Sequence, residues 1–245
     1  MKLVILDRDG VINYDSDQFV KTPAECAEIE PALRHTRRAI VGGTYTATDE
    51  SGDAMKFTQA LAQLCAAAGV VFRYDTTVEK LLPAANGIDG VQLGWQEDGD
   101  ARSEILRADA YVVSMGSYSP LLLRQLGIPL DVYPAKGYSA TIPVRDGDEA
   151  PSVAMTDDGY KIVFSRLGDR LRVAGTAEIN GYNLDLTPVR CRMLIDRTRE
   201  IFPNAGDFDA AEFWTGLRPT TPSNLPYVGR LSERGNLWTN RSEEH

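Results

Sequence analysis

Asp7 and Asp9 stand one residue apart, directly after the aliphatic run Leu3-Val4-Ile5-Leu6, in the order Asp7-Arg8-Asp9-Gly10. Two carboxylates at the end of a buried strand can share a magnesium ion, one taking up a phosphoryl group as nucleophile and the other serving as acid and base. A polar turn after a strand has the same composition, so the spacing alone leaves both readings open. The cysteines Cys26, Cys65 and Cys191 are odd in number and far apart, which argues against a disulfide framework or a zinc site and for a reducing compartment. The only histidines are His35 and His245.

These residues sit in a chain of 245 residues that is 43% hydrophobic and 25% charged, ordinary globular composition with enough length for a real core. The formal charge of -9 disfavours general attraction to nucleic acid or anionic lipid, so an anionic ligand needs a local basic spot. No apolar run reaches the roughly 18 residues of a membrane span. The start is too short and too soon acidic for a signal peptide. The expectation is a cytoplasmic protein, with room for peripheral contact with the inner membrane.

The elements that must position the chemistry read as follows. Leu3 to Leu6 has the character of a buried parallel strand. Residues 12 to 40 show no sustained period and predict loops with one short helix. Phe57, Ala60, Leu61, Leu64, Cys65 and Ala68 recur at helical spacing and Gly69 stands at the C-cap, so Met55 to Gly69 is predicted helical. Val70 to Tyr74 is predicted as a strand, Thr77 to Leu82 and Gly90 to Trp95 as a surface hairpin, and Ala110 to Gly116 as a further strand. Beyond Pro129, Tyr138 to Pro143, Tyr160 to Arg166 and Arg170 to Glu178 alternate as short antiparallel strands. A helix crosses Val189 to Phe202, and Phe213 to Pro219 returns to extended structure. The whole reads as α/β (α+β).

Residues 1–25, from Met1-Lys2-Leu3-Val4-Ile5-Leu6-Asp7-Arg8-Asp9-Gly10 through Lys21-Thr22-Pro23, resemble the N-terminus of haloacid-dehalogenase-type phosphatases, the heptose bisphosphate phosphatases in particular. The resemblance implies Asp7 as nucleophile, Asp9 as acid/base and magnesium as cofactor. It also asks for a Ser or Thr, a Lys and a later acidic pair. Ser114 or Ser117, Lys136 and Asp157-Asp158 occur in that order, but Asp158-Gly159 runs into Tyr160-Lys161-Ile162-Val163-Phe164, a hairpin pattern where that family carries a helix.

A second resemblance covers about residues 27–240. It is carried by Glu30-Pro31-Ala32-Leu33, Asp49-Glu50-Ser51-Gly52-Asp53 with Phe57-Thr58-Gln59, Ala108-Asp109-Ala110-Tyr111-Val112 with Gly116-Ser117-Tyr118-Ser119, Tyr133-Pro134-Ala135-Lys136-Gly137-Tyr138-Ser139, Ala177-Glu178, and Phe213-Trp214-Thr215-Gly216-Leu217-Arg218-Pro219-Thr220-Thr221-Pro222. Over this span the chain resembles the FAD-dependent D-amino-acid dehydrogenases of the D-amino-acid oxidase superfamily. The resemblance implies an FAD-binding dinucleotide fold with a largely antiparallel β-sheet substrate domain. It implies FAD contact at Val78, Gly116, Ser117 and Gly229. Arg218 would fork onto the carboxylate of a D-amino acid with two charge-assisted hydrogen bonds, and Tyr138 would face the substrate. The implied reaction is oxidative deamination: hydride leaves the α-carbon, the imino acid hydrolyses to a 2-oxo acid, and electrons pass to a respiratory acceptor.

The chain departs from that pattern at both ends. Complete relatives open with a glycine-rich turn, yet no G-x-G-x-x-G occurs anywhere here, and Asp7-Arg8-Asp9-Gly10 would repel a pyrophosphate. Arg241-Ser242-Glu243-Glu244-His245 replaces the glycine-rich closing segment. The expectation is an incomplete dinucleotide fold in a truncated, chimeric chain. It would comprise a phosphatase-like leader (1–25) supplying one strand, a partial FAD-binding domain (26–128), a substrate domain (129–218) and a return segment (219–245). Incomplete layers expose apolar faces and favour a homo-oligomer.

Overall fold

A computed structural model describes residues 3–5, 19–38, 40–48, 50–231 and 235–240. In chain order its first strands are β1 (Leu3–Ile5), β2 (Phe19–Val20), β3 (Ile40–Thr44), β4 (Thr76–Ala84), β5 (Gly87–Glu97), β6 (Asp100–Leu106) and β7 (Tyr111–Val113). They are followed by β8 (Tyr133–Pro143), β9 (Met155–Asp157), β10 (Ile162–Leu167), β11 (Arg170–Ile179), β12 (Glu212–Thr220), β13 (Val228–Arg230) and β14 (Leu237–Asn240). The helices are α1 (Pro23–Ile29), α2 (Ala54–Ala67), α3 (Ser119–Arg124) and α4 (Pro188–Ile201). Two compact units are present: Met1–Gln59 with Lys136–Gly216, and Ala60–Ala135 with Leu217–His245.

The first unit is built on an eight-stranded sheet in the order β12-β8-β11-β10-β9-β1-β3-β2. The alternation read from Tyr138 onward is real: Tyr138, Ala140 and Ile142 point into a core closed by Leu171 and Val173 of β11 and Phe164 of β10. Helix α4 covers this core. Pro188 occupies its first turn, where no amide donor is needed. Cys191, Leu194, Ile195, Thr198 and Ile201 then form one buried stripe at helical spacing. Phe202 closes the end edge-to-face on Phe164, centroids 5.2 Å apart. Helix α1 starts in a reciprocal cap: Thr22 Oγ1 accepts from Glu25 N at 3.2 Å, while Glu25 Oε2 accepts from Thr22 N at 3.0 Å.

The hairpin expected at Asp158-Gly159 is present: β9 and β10 pair antiparallel through Met155↔Phe164, Thr156↔Val163 and Asp157↔Ile162. Strand β1 pairs parallel with β3 and antiparallel with β9 at Ile5↔Asp157, so it lies in the first unit's sheet and not beside β7. The edges of β3 and β9 both need partners, and a short aliphatic strand supplies them.

In the second unit, β4, β5 and β6 form an antiparallel meander, and β13-β14-β7 a three-stranded sheet in which β14 and β7 run parallel. Leu81, Ile88, Leu93, Tyr111, Leu123 and Leu237 share its core. Asn236 stitches the two sheets, accepting from Ile88 N at 2.8 Å and donating to Ile88 O at 2.9 Å. That approach requires Gly87, whose φ is +156° and whose place would not admit a Cβ beside the Asn236 side chain.

One predicted strand is absent. Residues 70–73 have no regular structure and Tyr74 lies in a turn, although the run is β-branched and aromatic. Apolar composition makes a strand only where an edge accepts it, and here Val70, Val71 and Tyr74 stay exposed. Val78 therefore belongs to β4, opposite Leu93 in the meander. The predicted helix α2 forms, but its apolar stripe is not buried: Phe57 and Leu64 are each 69% exposed.

Candidate functional site

Within the first unit, the alternation of β8 puts Lys136 and Tyr138 on one face, opposite Glu178 of β11. Lys136 is wholly withdrawn from water (0% exposed) and Tyr138 nearly so (3%). The Lys136 ammonium donates to Asp185 O at 2.5 Å and to Asn183 Oδ1 at 3.4 Å, lies 3.4 Å from Glu178 Oε2, and faces the Tyr138 ring at 5.2 Å. The Tyr138 hydroxyl meets Glu178 Oε2 in a short hydrogen bond and Thr187 Oγ1 at 2.8 Å. Thr187 is the N-cap of α4, yet its hydroxyl does not cap the helix; it lies 3.3 Å from Glu178 Oε2.

Burial works against the Lys136 charge, but Tyr138 and Glu178 outweigh it and hold its pKa above the ordinary 10.5. The Tyr138 hydroxyl, followed by Lys136 and Thr187, holds the Glu178 carboxyl below the ordinary 4.5 against the opposing effect of burial. An ionised carboxylate and a buried ammonium are thus fixed side by side.

Within the second unit, Gly116 and Ser117 come to the end of β12. The Ser117 hydroxyl donates to Leu217 O at 3.1 Å. Gly116 has φ +53°, and a Cβ there would meet only Pro219 Cγ, at 4.0 Å. Both therefore flank Arg218, which is exposed and whose carbonyl accepts from Thr220 Oγ1 at 3.5 Å. Gly229, in β13, has φ +153° with open space where a Cβ would stand. Val78 packs on the Leu81/Leu93 core.

The acidic pair considered for phosphoryl transfer is engaged elsewhere. Asp157 Oδ2 accepts from Arg197 Nε at 2.5 Å, and Asp158 pairs with Lys161. Asp7 and Asp9 lie outside the described residues. Among the described residues, no group of three or more His, Cys, Asp or Glu side chains could hold a metal ion.

Sequence reasoning gave no role to Glu178, Thr187 or Glu30. Glu30, also buried, gathers donors onto both oxygens: Ala32 N at 3.0 Å on Oε1, and Ser152 N at 2.6 Å, Ser152 Oγ at 2.9 Å and Val153 N at 2.9 Å on Oε2. Its place just before Pro31 was visible; the Ser152 and Val153 donors, over a hundred residues away, were not.

The comparisons with known proteins agree with this architecture. The family of FAD dependent oxidoreductases (DAO) matches residues 7–243, and the chain belongs to that family. A D-amino acid dehydrogenase of Dechloromonas aromatica is 56% identical over 235 residues, 96% of this chain and 53% of that protein. The D-amino acid dehydrogenase of Paramagnetospirillum magneticum is 48% identical, covering 94% of this chain and 52% of its own length. The chain thus spans about half the length of the curated relatives it matches. Among solved structures, glycine oxidase from Bacillus cereus superposes with a TM-score of 0.74 at 23% identity, covering 92% of this chain and 59% of that one. L-proline dehydrogenase from P. horikoshii does so with a TM-score of 0.74 at 19% identity, covering 98% and 66%. These two likenesses establish the fold, mixed α/β with antiparallel sheets.

The family's cofactor is FAD, and the residues present fit it in part. Gly116 and Gly229 hold left-handed backbone with room beside them, as close approach of a ligand requires. The sequence has no G-x-G-x-x-G, and among the described residues, 70–73 form no strand. No helix among the described residues is long and apolar enough to cross a membrane.

Proposed function

We propose that this chain handles the amino-acid substrate of an FAD-dependent D-amino-acid dehydrogenase. The observation that carries the reading is 56% identity to a D-amino acid dehydrogenase across 96% of the chain. FAD supplies the hydride acceptor of such a reaction when bound; the residues here bind and orient. Arg218 holds the substrate carboxylate, since a guanidinium matches a carboxylate with two parallel hydrogen bonds. Tyr138 acts on the substrate through Glu178, to whose carboxylate its hydroxyl donates. Gly116, Ser117, Val78 and Gly229 line the flavin, and a respiratory carrier at the inner membrane takes the electrons.

The magnesium phosphatase reading rests on Asp7 and Asp9 alone, because Asp157 and Asp158 are already paired with Arg197 and Lys161. The test is D-alanine-dependent reduction of a dye by the purified chain in excess FAD, with L-alanine as control. Reduction that is specific for D-alanine and falls at least about tenfold in Arg218→Ala supports the reading. Equal rates with both enantiomers, or none, refute it.

A further inference from the structure

Glu178 is the carboxylate that meets the Lys136 ammonium directly, and its two oxygens are treated unequally. Lys136 Nζ, the Tyr138 hydroxyl and the Thr187 hydroxyl all converge on Oε2. None of these contacts falls on Oε1. Lys136 and Tyr138 are closed off from water, whereas the Glu178 side chain remains 20% exposed. The Glu178 side chain, fixed and ionised, therefore reaches solvent in part, beside the exposed Asn183 and Asp185. The surrounding backbone departs from local rules in the same place: Thr176, two residues before Glu178 on β11, holds φ +59° although β-branched, and its buried hydroxyl has no hydrogen-bond partner. Thr187 gives up its capping bond to serve Glu178. A methionine would fill the place of Lys136 without burying a charge, so packing alone does not call for this arrangement.

We propose that Glu178 is a substrate-binding residue whose Oε1 accepts a hydrogen bond from a ligand's primary ammonium group, with Lys136, Tyr138 and Thr187 as positioning residues that fix Oε2. The inference rests on the amino-acid reading above and adds to it the group that recognises the amine. Two hydroxyl donors and an ammonium gathered on one oxygen restrain the carboxylate, so the second oxygen meets an incoming cation with little ordering left to do. A hydroxyl in place of the ammonium can still donate, but without the charge that strengthens the bond. The cluster therefore discriminates 2-amino acids from 2-hydroxy acids of the same shape.

The test is equilibrium binding of D-alanine and D-lactate, by titration calorimetry, to the full chain with excess FAD kept reduced and without oxygen, so that no oxidation consumes the ligand. The native chain is expected to prefer D-alanine by at least about tenfold. Glu178→Gln should remove most of that preference by weakening D-alanine binding while D-lactate binding stays within about twofold. Because the single variant leaves Lys136 buried without its carboxylate and is at risk of unfolding, the double variant Lys136→Met/Glu178→Gln removes both charges together and is expected to show the same lost preference. A folded variant that keeps the native preference overturns the assignment of Glu178 while leaving the amino-acid reading intact. A native chain that binds neither ligand overturns both.

Discussion

Arg197 Nε donates to Asp157 Oδ2 at 2.5 Å, and both side chains are almost entirely withdrawn from water, at 3% and 1% exposure. The guanidinium also reaches Glu200 Oε2 at 2.9 Å and lies 4.3 Å over the Tyr160 ring. Glu200 in turn takes the two-pronged grip of Arg38, at 2.8 and 2.6 Å. The β9–β10 hairpin, α4 and the segment before β3 are thereby tied through one chain of charges. Removing one member leaves its partner charged and buried, which costs far more than the pair itself contributes. Arg197→Met is therefore expected to destabilise the chain by about 3–5 kcal/mol, read from urea unfolding, whereas Arg197→Met with Asp157→Leu should recover much of the loss. Equal destabilisation in the single and double variants would contradict this account.

Leu194 is fully buried on α4 within the core of the first unit. Truncation to alanine should cost about 2–5 kcal/mol through lost transfer energy and the cavity left behind. An unfolding midpoint unchanged in Leu194→Ala would mean that α4 does not pack as described.

The acid limb of stability follows from two carboxyls. Arg38 above all, then Arg197, holds Glu200 below 4.5 against burial, and Tyr138 with Lys136 does the same for Glu178. A depressed folded value means stabilisation that is present above 4.5 and lost as pH falls through the folded value. Lys136 has the opposite sign: its raised value gives stabilisation present below 10.5 and lost as pH climbs through the folded value. Thermal midpoints should thus fall at both extremes, and Glu200→Gln should flatten only the acid side. A variant profile parallel to the native one would refute the assignment.

At α1, Thr22→Ala removes the acceptor for Glu25 N and should cost about 1 kcal/mol. Thr22→Ser keeps that acceptor and should lie close to the native chain. Chemical denaturation of both variants distinguishes loss of the cap from loss of the methyl group.

What was legible in the sequence was local or periodic. The helix α4, the alternation of β8 and the Asp158-Gly159 turn each follow from neighbouring residues and stand where expected, although Val189 at the head of that helix is exposed and Cys191 and Ile195 are buried instead. Val70 to Tyr74 failed because a strand is decided by its partner edge, which composition does not contain. The Lys136 cluster was partly visible, since Lys136-Gly137-Tyr138 and Ala177-Glu178 both belong to the segments that carry the family likeness. Their meeting was not, because Tyr138 and Glu178 are 40 residues apart and no spacing rule joins them. The exposed stripe of α2 shows the same limit from the other side: periodicity predicted the helix, while its burial depends on what lies against it.

The most direct test of the central claim is the visible spectrum of the purified chain with excess FAD, recorded without oxygen before and after addition of D-alanine. The account predicts that the flavin band bleaches with D-alanine and persists with L-alanine, as the proposed D-amino-acid reading requires. A band untouched by D-alanine in a folded protein would contradict it.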